Sequence, residues 1–301
     1  MVGSAIVRAL TAAGHTNVLT RTSQQLDLRD PAAVRRFFRR CKPDYVVLAA
    51  AKVGGIVANN TYRADFIADN LAIQTAVIRE THAAGIQDLL FLGSSCIYPG
   101  MAPQPLKESS LLTGPLEETN RPYAIAKIAG IEMCDAYRRQ YGRDYRAAMP
   151  TNLYGPGDNY DLKTSHVIPA LLRKFTEAVT RGDKTVTVWG SGKPRREFLH
   201  VDDLAEACLF LMQLPRAKWD RATSGGGPFI NVGCGKDQTI AELARLIADI
   251  SGFKGKLVFD RTKPDGTPRK LMDVSRLRKL GWQPRISLQH GLALVKGDVP
   301  L

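Results

Sequence analysis

Leu89-Leu90-Phe91-Leu92-Gly93-Ser94-Ser95 decides the fold. Four apolar residues run without a polar interruption and stop on a glycine and two serines. A strand that is apolar on both sides has to be covered on both sides, the condition of a strand inside a parallel sheet. Tyr45–Ala49 is a second run of this kind. Further strand candidates are Asn17–Leu19, Tyr145–Met149, Val186–Trp189 and Phe229–Val232. Between them, helical patterns cover Pro31–Arg40, Ala64–Ala84, Tyr123–Tyr141, His166–Val179, Asp202–Leu214 and Ile240–Ile250. Strands alternating with helices of this length imply βαβ units, hence an α/β fold on a doubly wound parallel sheet. After about Gly155 the pattern loosens into longer loops, which reads as a smaller second region folded against the first.

The chain has 301 residues, which at roughly 150 residues per domain suggests two domains. A hydrophobic share of 44% and a charged share of 24% exclude a mainly disordered chain, a collagen-like chain and a disulfide miniprotein. No uncharged apolar run reaches the ~18 residues of a membrane span. The N-terminus lacks a basic leader and Arg8 interrupts its apolar stretch, so no signal peptide is expected. Lys and Arg total 42 against 29 Asp and Glu, a net charge of +13 that favours anionic partners. The basic residues are scattered, however. The densest groups, Arg35, Arg36, Arg39 and Arg40, then Arg138 and Arg139, fall on helices and read as solvated faces. No basic stretch interleaves with aromatics, so neither nucleic acid nor a membrane is expected as a partner. The cysteines Cys41, Cys96, Cys134, Cys208 and Cys234 are odd in number and show no C-x-x-C spacing. That argues against a disulfide framework and a structural zinc site, and for a cytoplasmic location.

In an open parallel sheet, ligands bind at the carboxyl ends of the strands. Three segments that follow strands therefore matter most: Ala49–Gly55, Gly93–Pro99 and Pro150–Gly155. Tyr123 and Lys127 lie four apart at the start of a helix, on one face. A neighbouring ammonium lowers the pKa of a phenol, which would let Tyr123 exchange a proton near neutral pH. In a chain with nine tyrosines that spacing alone is close to chance. Ser94 adds weight, because a hydroxyl just past a strand end can hydrogen-bond a carbonyl under reduction.

Ser94, Tyr123 and Lys127 resemble the Ser–Tyr–Lys triad of the extended short-chain dehydrogenases/reductases. Longer strings resemble one family within them, the GDP-L-fucose synthases: Ala51–Ile56, Gly93–Pro99, Tyr123–Lys127, Pro150–Pro156, Ser165–Pro169, Trp189–Gly192, Arg196–Phe198 and Lys263–Lys270. The resemblance runs from Met1 to about His290. It implies a Rossmann-type NADP-binding domain over residues 1–155. It also implies a smaller α/β domain over 156–301, mainly substrate-binding, with some segments returning to the first. It further implies a homodimer that epimerises a GDP-4-keto-6-deoxy-D-mannose at two carbons and reduces it with NADPH, with no metal. By the same resemblance Cys96 is the epimerisation base and His166 the acid. Ser94, Tyr123 and Lys127 then carry the reduction. The cofactor would meet Gly3, Arg21, Ser23, Leu26, Asp27, Leu92, Gly93, Ser94, Ser95, Lys127, Pro150, Thr151, Asn152, Leu153 and His166. The GDP-sugar would meet Lys174, Trp189, Arg196, Asp265 and Lys270. A thiolate serves as base only if its pKa is depressed, and a histidine titrates near neutrality unaided.

The match departs from the family in places. Met1–Val7 resembles the last glycine of the dinucleotide fingerprint, Gly3, and the helix after it. The preceding strand and glycines are not in the sequence, so the expectation is an N-terminally truncated chain with reduced stability and cofactor affinity. Gly291–Leu301 also differs from the family's longer terminal helix. Thr20–Ser23 contains Arg21 and no acid, which favours the 2′-phosphate of NADPH over NAD. Ser23 and Lys174 stand where the family often carries arginine. Two alternatives remain open at this point: another nucleotide-sugar epimerase or dehydratase of the superfamily, and an inactive remnant. Dehydratases typically carry Thr-Asp-Glu where Ser94-Ser95-Cys96 stands.

Overall fold

The computed structural model describes every residue except Lys163, Pro264 and Leu301. Pro264, inside one of the family-like strings, therefore lies outside the described residues. The chain opens with α1 (Val2–Ala12) and α2 (Pro31–Cys41), then β1 (Tyr45–Leu48), α3 (Ile56–Thr61), α4 (Arg63–Ala83) and β2 (Asp88–Leu92). There follow α5 (Arg121–Tyr141), β3 (Asp144–Pro150), β4 (Asn152–Tyr154), α6 (Val167–Arg181), β5 (Thr185–Trp189), β6 (Arg195–His200), α7 (Val201–Gln213) and α8 (Arg216–Thr223). The remainder is β7 (Ile230–Val232), β8 (Asp237–Thr239), α9 (Ile240–Ser251), β9 (Lys256–Asp260), β10 (Arg269–Lys270), α10 (Ser275–Leu280) and α11 (Leu288–Val295).

β1, β2, β3 and β7 form a parallel sheet in that order. Alternation along β2 shows why it is apolar throughout. Leu89 and Phe91 pack with Ile78 of α4 and Ile131 of α5 on one face. Leu90 and Leu92 pack with Ile6 of α1 and Leu204 of α7 on the other. The chain is thus a doubly wound α/β fold, and β7 returns to this sheet from late in the sequence. A second sheet centres on β6, with β4 and β10 parallel to it and β8 antiparallel. β5 and β9 make a parallel pair, and α6 and α9 meet them in a third core around Phe175, Val188 and Ile247.

Two expectations are corrected. Asn17–Leu19 pairs with no strand among the described residues, and Leu19 is 41% exposed. A strand needs a neighbour to accept its N–H and C=O groups. Among the described residues β1 is the sheet's edge on that side, and the stretch after α1 runs instead through turns at Thr22–Gln25 and Asp27–Asp30. Arg138 is not on a solvated face. Its guanidinium lies between Asp144, at 2.6 Å, and Asp220, with the side chain only 10% exposed. Arg35 is exposed as expected, and it forks onto the buried Glu80 with both bonds at 2.9 Å.

Two buried polar residues tie the sheets together where the site forms. Glu197 of β6 accepts the N–H groups of Gly235 at 2.6 Å and Met272 at 2.9 Å. Its own carbonyl accepts Asn152 Nδ2 at 2.8 Å, which pins the segment after β3. Asn231 of β7 receives the Tyr98 hydroxyl and donates to the carbonyls of Leu106 and Asp273.

Candidate active site

β2 ends at Leu92, and the backbone then turns sharply. A Cβ at Gly93 would meet the tip of the Met149 side chain on the adjacent strand, which would have to shift to admit it. Ser94 is extended (φ −159°, ψ 143°) and caps the short turn Ser95–Ile97, which carries Cys96 back into the protein. α5 begins with Pro122 in its first turn, a position where its missing N–H costs nothing. One turn later Lys127 points inward and donates from Nζ to the Leu92 carbonyl at 2.8 Å. The same ammonium sits 4.8 Å from the Phe91 ring centroid and 5.8 Å from that of Tyr123. Phe66 meets Tyr123 edge-on at 6.3 Å. Ser94, Cys96, Tyr123 and Lys127 therefore share one pocket at the carboxyl end of β2.

Burial governs the protonation of this group. It pushes the Tyr123 phenol up, and the neighbouring Cys96 adds to that against a hydrogen bond to Ser94. It pushes the Cys96 thiol up against the opposing pull of Lys270, Ser94 and Lys127. It brings Lys127 down to about 8. The expected depression of the tyrosine and cysteine is thus reversed, because loss of hydration outweighs the nearby positive charge. The resting pocket favours a neutral phenol and thiol.

Lys270 reaches this pocket from β10, which pairs with β6 opposite Arg196. Cys96, Glu117, Asn120, Thr267 and Lys270 line one recess. Its ammonium is lowered by burial, against Cys96. His166 lies just ahead of α6, where desolvation lowers its imidazole and Asp158 raises it in turn. The Gly55 N–H donates to the Thr164 carbonyl at 3.1 Å, so the loop after β1 holds the His166 segment. Asn70 fixes that loop through paired bonds with the Lys52 backbone, both at 3.0 Å.

A second cluster adjoins the first. Trp189 ends β5 with 52% of its surface exposed, and its ring carries Lys174 at 5.1 Å and Lys263 at 5.6 Å. Lys174 donates to the Thr187 carbonyl at 3.1 Å. Gly190 takes a positive φ of 81°, and the turn it opens lets Asp265 accept both the N–H and hydroxyl of Ser191 at 2.6 Å. Arg196 feels burial first and Asp265 second. The cluster offers a flat aromatic face beside several cations, a chemistry suited to a nucleotide and its phosphates.

The residues expected on the cofactor's adenine side lie apart from the pocket. Arg21 is exposed, stacks on Phe37 at 5.1 Å and donates to the Thr20 carbonyl. Ser23 sits in the neighbouring turn, beside the partly buried Leu26. Asp27 is paired with Arg29, which holds its carboxyl down at about 2. Arg29 continues to Asp69, and Asp69 to Lys52 at 2.8 Å. Gly3 lies in the first turn of α1 with open space where a side chain would go. Leu92, Ser95, Pro150, Thr151, Asn152 and Leu153 line up at the ends of β2, β3 and β4. A phosphorylated dinucleotide fits this set. Among the described residues the exposed Arg21 guanidinium makes no ion pair, with no acid in Thr20–Ser23, and Ser165 Oγ and Asp158 Oδ2, near His166, are buried without a hydrogen-bond partner.

Sequence reasoning missed Asn70, Glu117, Asn120 and Asp158. Only Asn120 left a signal, three residues ahead of Tyr123 and so on the same side of the helix start.

Residues 1–233 match the model of a family described as NAD dependent epimerase/dehydratase. A putative GDP-L-fucose synthase 2 of Arabidopsis thaliana is 59% identical over 97% of this chain and 87% of its own. A GDP-L-fucose synthase of Escherichia coli (strain K12) is 58% identical over 97% of this chain and 91% of its own. Among solved structures, a GDP-D-glycero-L-gluco-heptose synthase from Campylobacter jejuni in the presence of NADPH superposes with a TM-score of 0.88. It is 37% identical and covers 98% of this chain and 94% of its own.

Proposed function

The chain belongs to the NAD dependent epimerase/dehydratase family and, within it, to the GDP-L-fucose synthases, and on that premise we propose that it epimerises GDP-4-keto-6-deoxy-D-mannose at C3 and C5 and reduces the product at C4 to GDP-L-fucose. The observation that carries the proposal is the single pocket holding Cys96 beside Ser94, Tyr123 and Lys127, a base together with the groups a carbonyl reduction needs.

Epimerisation begins when the Cys96 thiolate takes the proton from a carbon flanking the ketone. The C–H pair becomes a C=C bond, and the ketone oxygen takes the negative charge. Lys270 and Lys127, the cations that favour the thiolate, would also stabilise that charge. His166 returns a proton from the opposite face, which inverts the carbon. NADPH, when bound, supplies the hydride for C4. Tyr123 delivers the proton to the C4 oxygen, Ser94 hydrogen-bonds that oxygen, and Lys127 holds the phenol and meets the nicotinamide ribose. Arg21, Ser23, Leu26 and Asp27 take the adenosine 2′-phosphate end, and Gly3, Gly93, Ser95 and Pro150–Leu153 the remainder. Arg196 and Lys174 bind the pyrophosphate, Trp189 the base or sugar face, and Asp265 and Lys270 the sugar side.

The reading includes a Rossmann domain over 1–155 and a mainly substrate-binding region over 156–301. It also includes a homodimer and a cytoplasmic location. Among the described residues all five cysteines are free and no helix is long and apolar enough to cross a membrane. Light scattering on the purified chain tests the dimer.

The deciding experiment supplies GDP-4-keto-6-deoxy-D-mannose and follows NADPH oxidation, with the product identified by NMR. GDP-L-fucose is the expected product. Cys96→Ser should stop epimerisation, and Tyr123→Phe should stop NADPH oxidation. Normal epimerisation by the serine variant would overturn the assignment of the base.

A further inference from the structure

Asn120 immediately precedes α5, where an asparagine usually turns its side chain back to cap the helix. Here it does not. The Asn120 side chain makes no capping bond. Its Oδ1 is buried with no hydrogen-bond partner among the described residues. A native buried oxygen in that state calls for an explanation. Asn120 lines the recess that also holds Cys96 and Lys270.

Two neighbouring acceptors are already engaged. Glu117 takes the Thr119 N–H at 3.1 Å, the Thr119 hydroxyl at 2.6 Å and the Asn120 N–H at 3.2 Å. Ser94 Oγ faces the Cys96 N–H. Asn120 Oδ1 is buried without a donor among the described residues, and it needs one. A 4-ketosugar of the 6-deoxy series presents one. Of the two carbons flanking its ketone, C5 bears a methyl group and C3 a hydroxyl. When Cys96 faces C3, the hydroxyl on that carbon is the donor nearest the base.

We propose that Asn120 binds the C3 hydroxyl of the substrate, orients the C3–H bond towards Cys96, and makes the pocket selective for sugars that carry this hydroxyl. This inference rests on the reading given under Proposed function. A site built to hydrogen-bond a substrate hydroxyl rejects the analogue that lacks it, because the polar group is then left unpaired.

The test compares kcat/KM for NADPH oxidation with GDP-4-keto-6-deoxy-D-mannose and with its 3-deoxy analogue. The parent chain should prefer the hydroxylated sugar by about 10- to 100-fold. Asn120→Leu, branched alike at Cγ and unable to accept, should lose that preference. Asn120→Asp keeps the acceptor and should keep the preference, and it serves alone if the leucine variant does not fold. A parent that treats both sugars alike, a leucine variant that still discriminates, or an aspartate variant that does not, overturns the role of Asn120. A parent that turns over neither sugar refutes the reading of the site itself, and the inference falls with it.

Discussion

Lys127→Met should make the protein more stable at neutral pH while disabling reduction. Lys127 is 4% exposed, and burial brings its pKa from the ordinary 10.5 to about 8. The unfolded chain keeps that proton to higher pH than the folded one, so folding is opposed by the full amount below pH 8. The cost is relieved as pH rises from 8 to 10.5. At about 1.4 kcal/mol per pH unit it is roughly 3 kcal/mol at pH 7 and about half that at pH 9.5. Methionine removes it but forfeits the 2.8 Å bond to the Leu92 carbonyl and the contact with the Phe91 ring, together about 2 kcal/mol. The net is a gain of about 1 kcal/mol at pH 7 that turns into a slight loss by pH 9.5. At ~2–4 °C per kcal/mol for a chain of this class, Tm should rise by a few degrees at neutral pH. Urea titrations of parent and variant at both pH values read it directly. A stability difference that does not change with pH, or a methionine variant clearly weaker at pH 7, would refute the reasoning.

Cys96 should alkylate with a pH midpoint above that of free cysteine, since burial raises the thiol. Lys270→Met should move the midpoint further up, because Lys270 is the strongest influence opposing that rise. Peptide mapping after iodoacetamide treatment at a series of pH values measures both, and a midpoint at or below that of free cysteine would contradict the electrostatics. Gly291→Ala lies in α11, where helix propensity alone favours alanine by about 1 kcal/mol. The structure reverses that sign, because the new methyl would be driven into the Tyr154 hydroxyl, and ~1–3 kcal/mol of overpacking should appear in thermal denaturation.

Which parts of this were legible in the sequence follows from the range of the forces involved. The runs at Tyr45–Leu48 and Asp88–Leu92, and the helices between them, are local patterns of burial, so the doubly wound sheet could be read residue by residue. Ser94, Cys96, Tyr123 and Lys127 were legible because a strand end and a helix start put short, recognisable strings into the pocket. Asn17–Leu19 was misread for the complementary reason: a strand is a relation between two segments, and its own residues do not contain the neighbour that pairs it. Protonation was misread in the same way. The sequence shows a lysine beside a tyrosine, but the balance between that charge and the loss of water depends on everything packed around them, which only the folded chain assembles. Glu117 carries no motif and Asn120 only its place ahead of Tyr123, and they line the recess because Lys270, far along the chain on β10, is folded over beside them. Sequence determined the layers and the reactive strings. Tertiary structure decided which charges are buried, which acceptors are left unpaired, and hence what the pocket can hold.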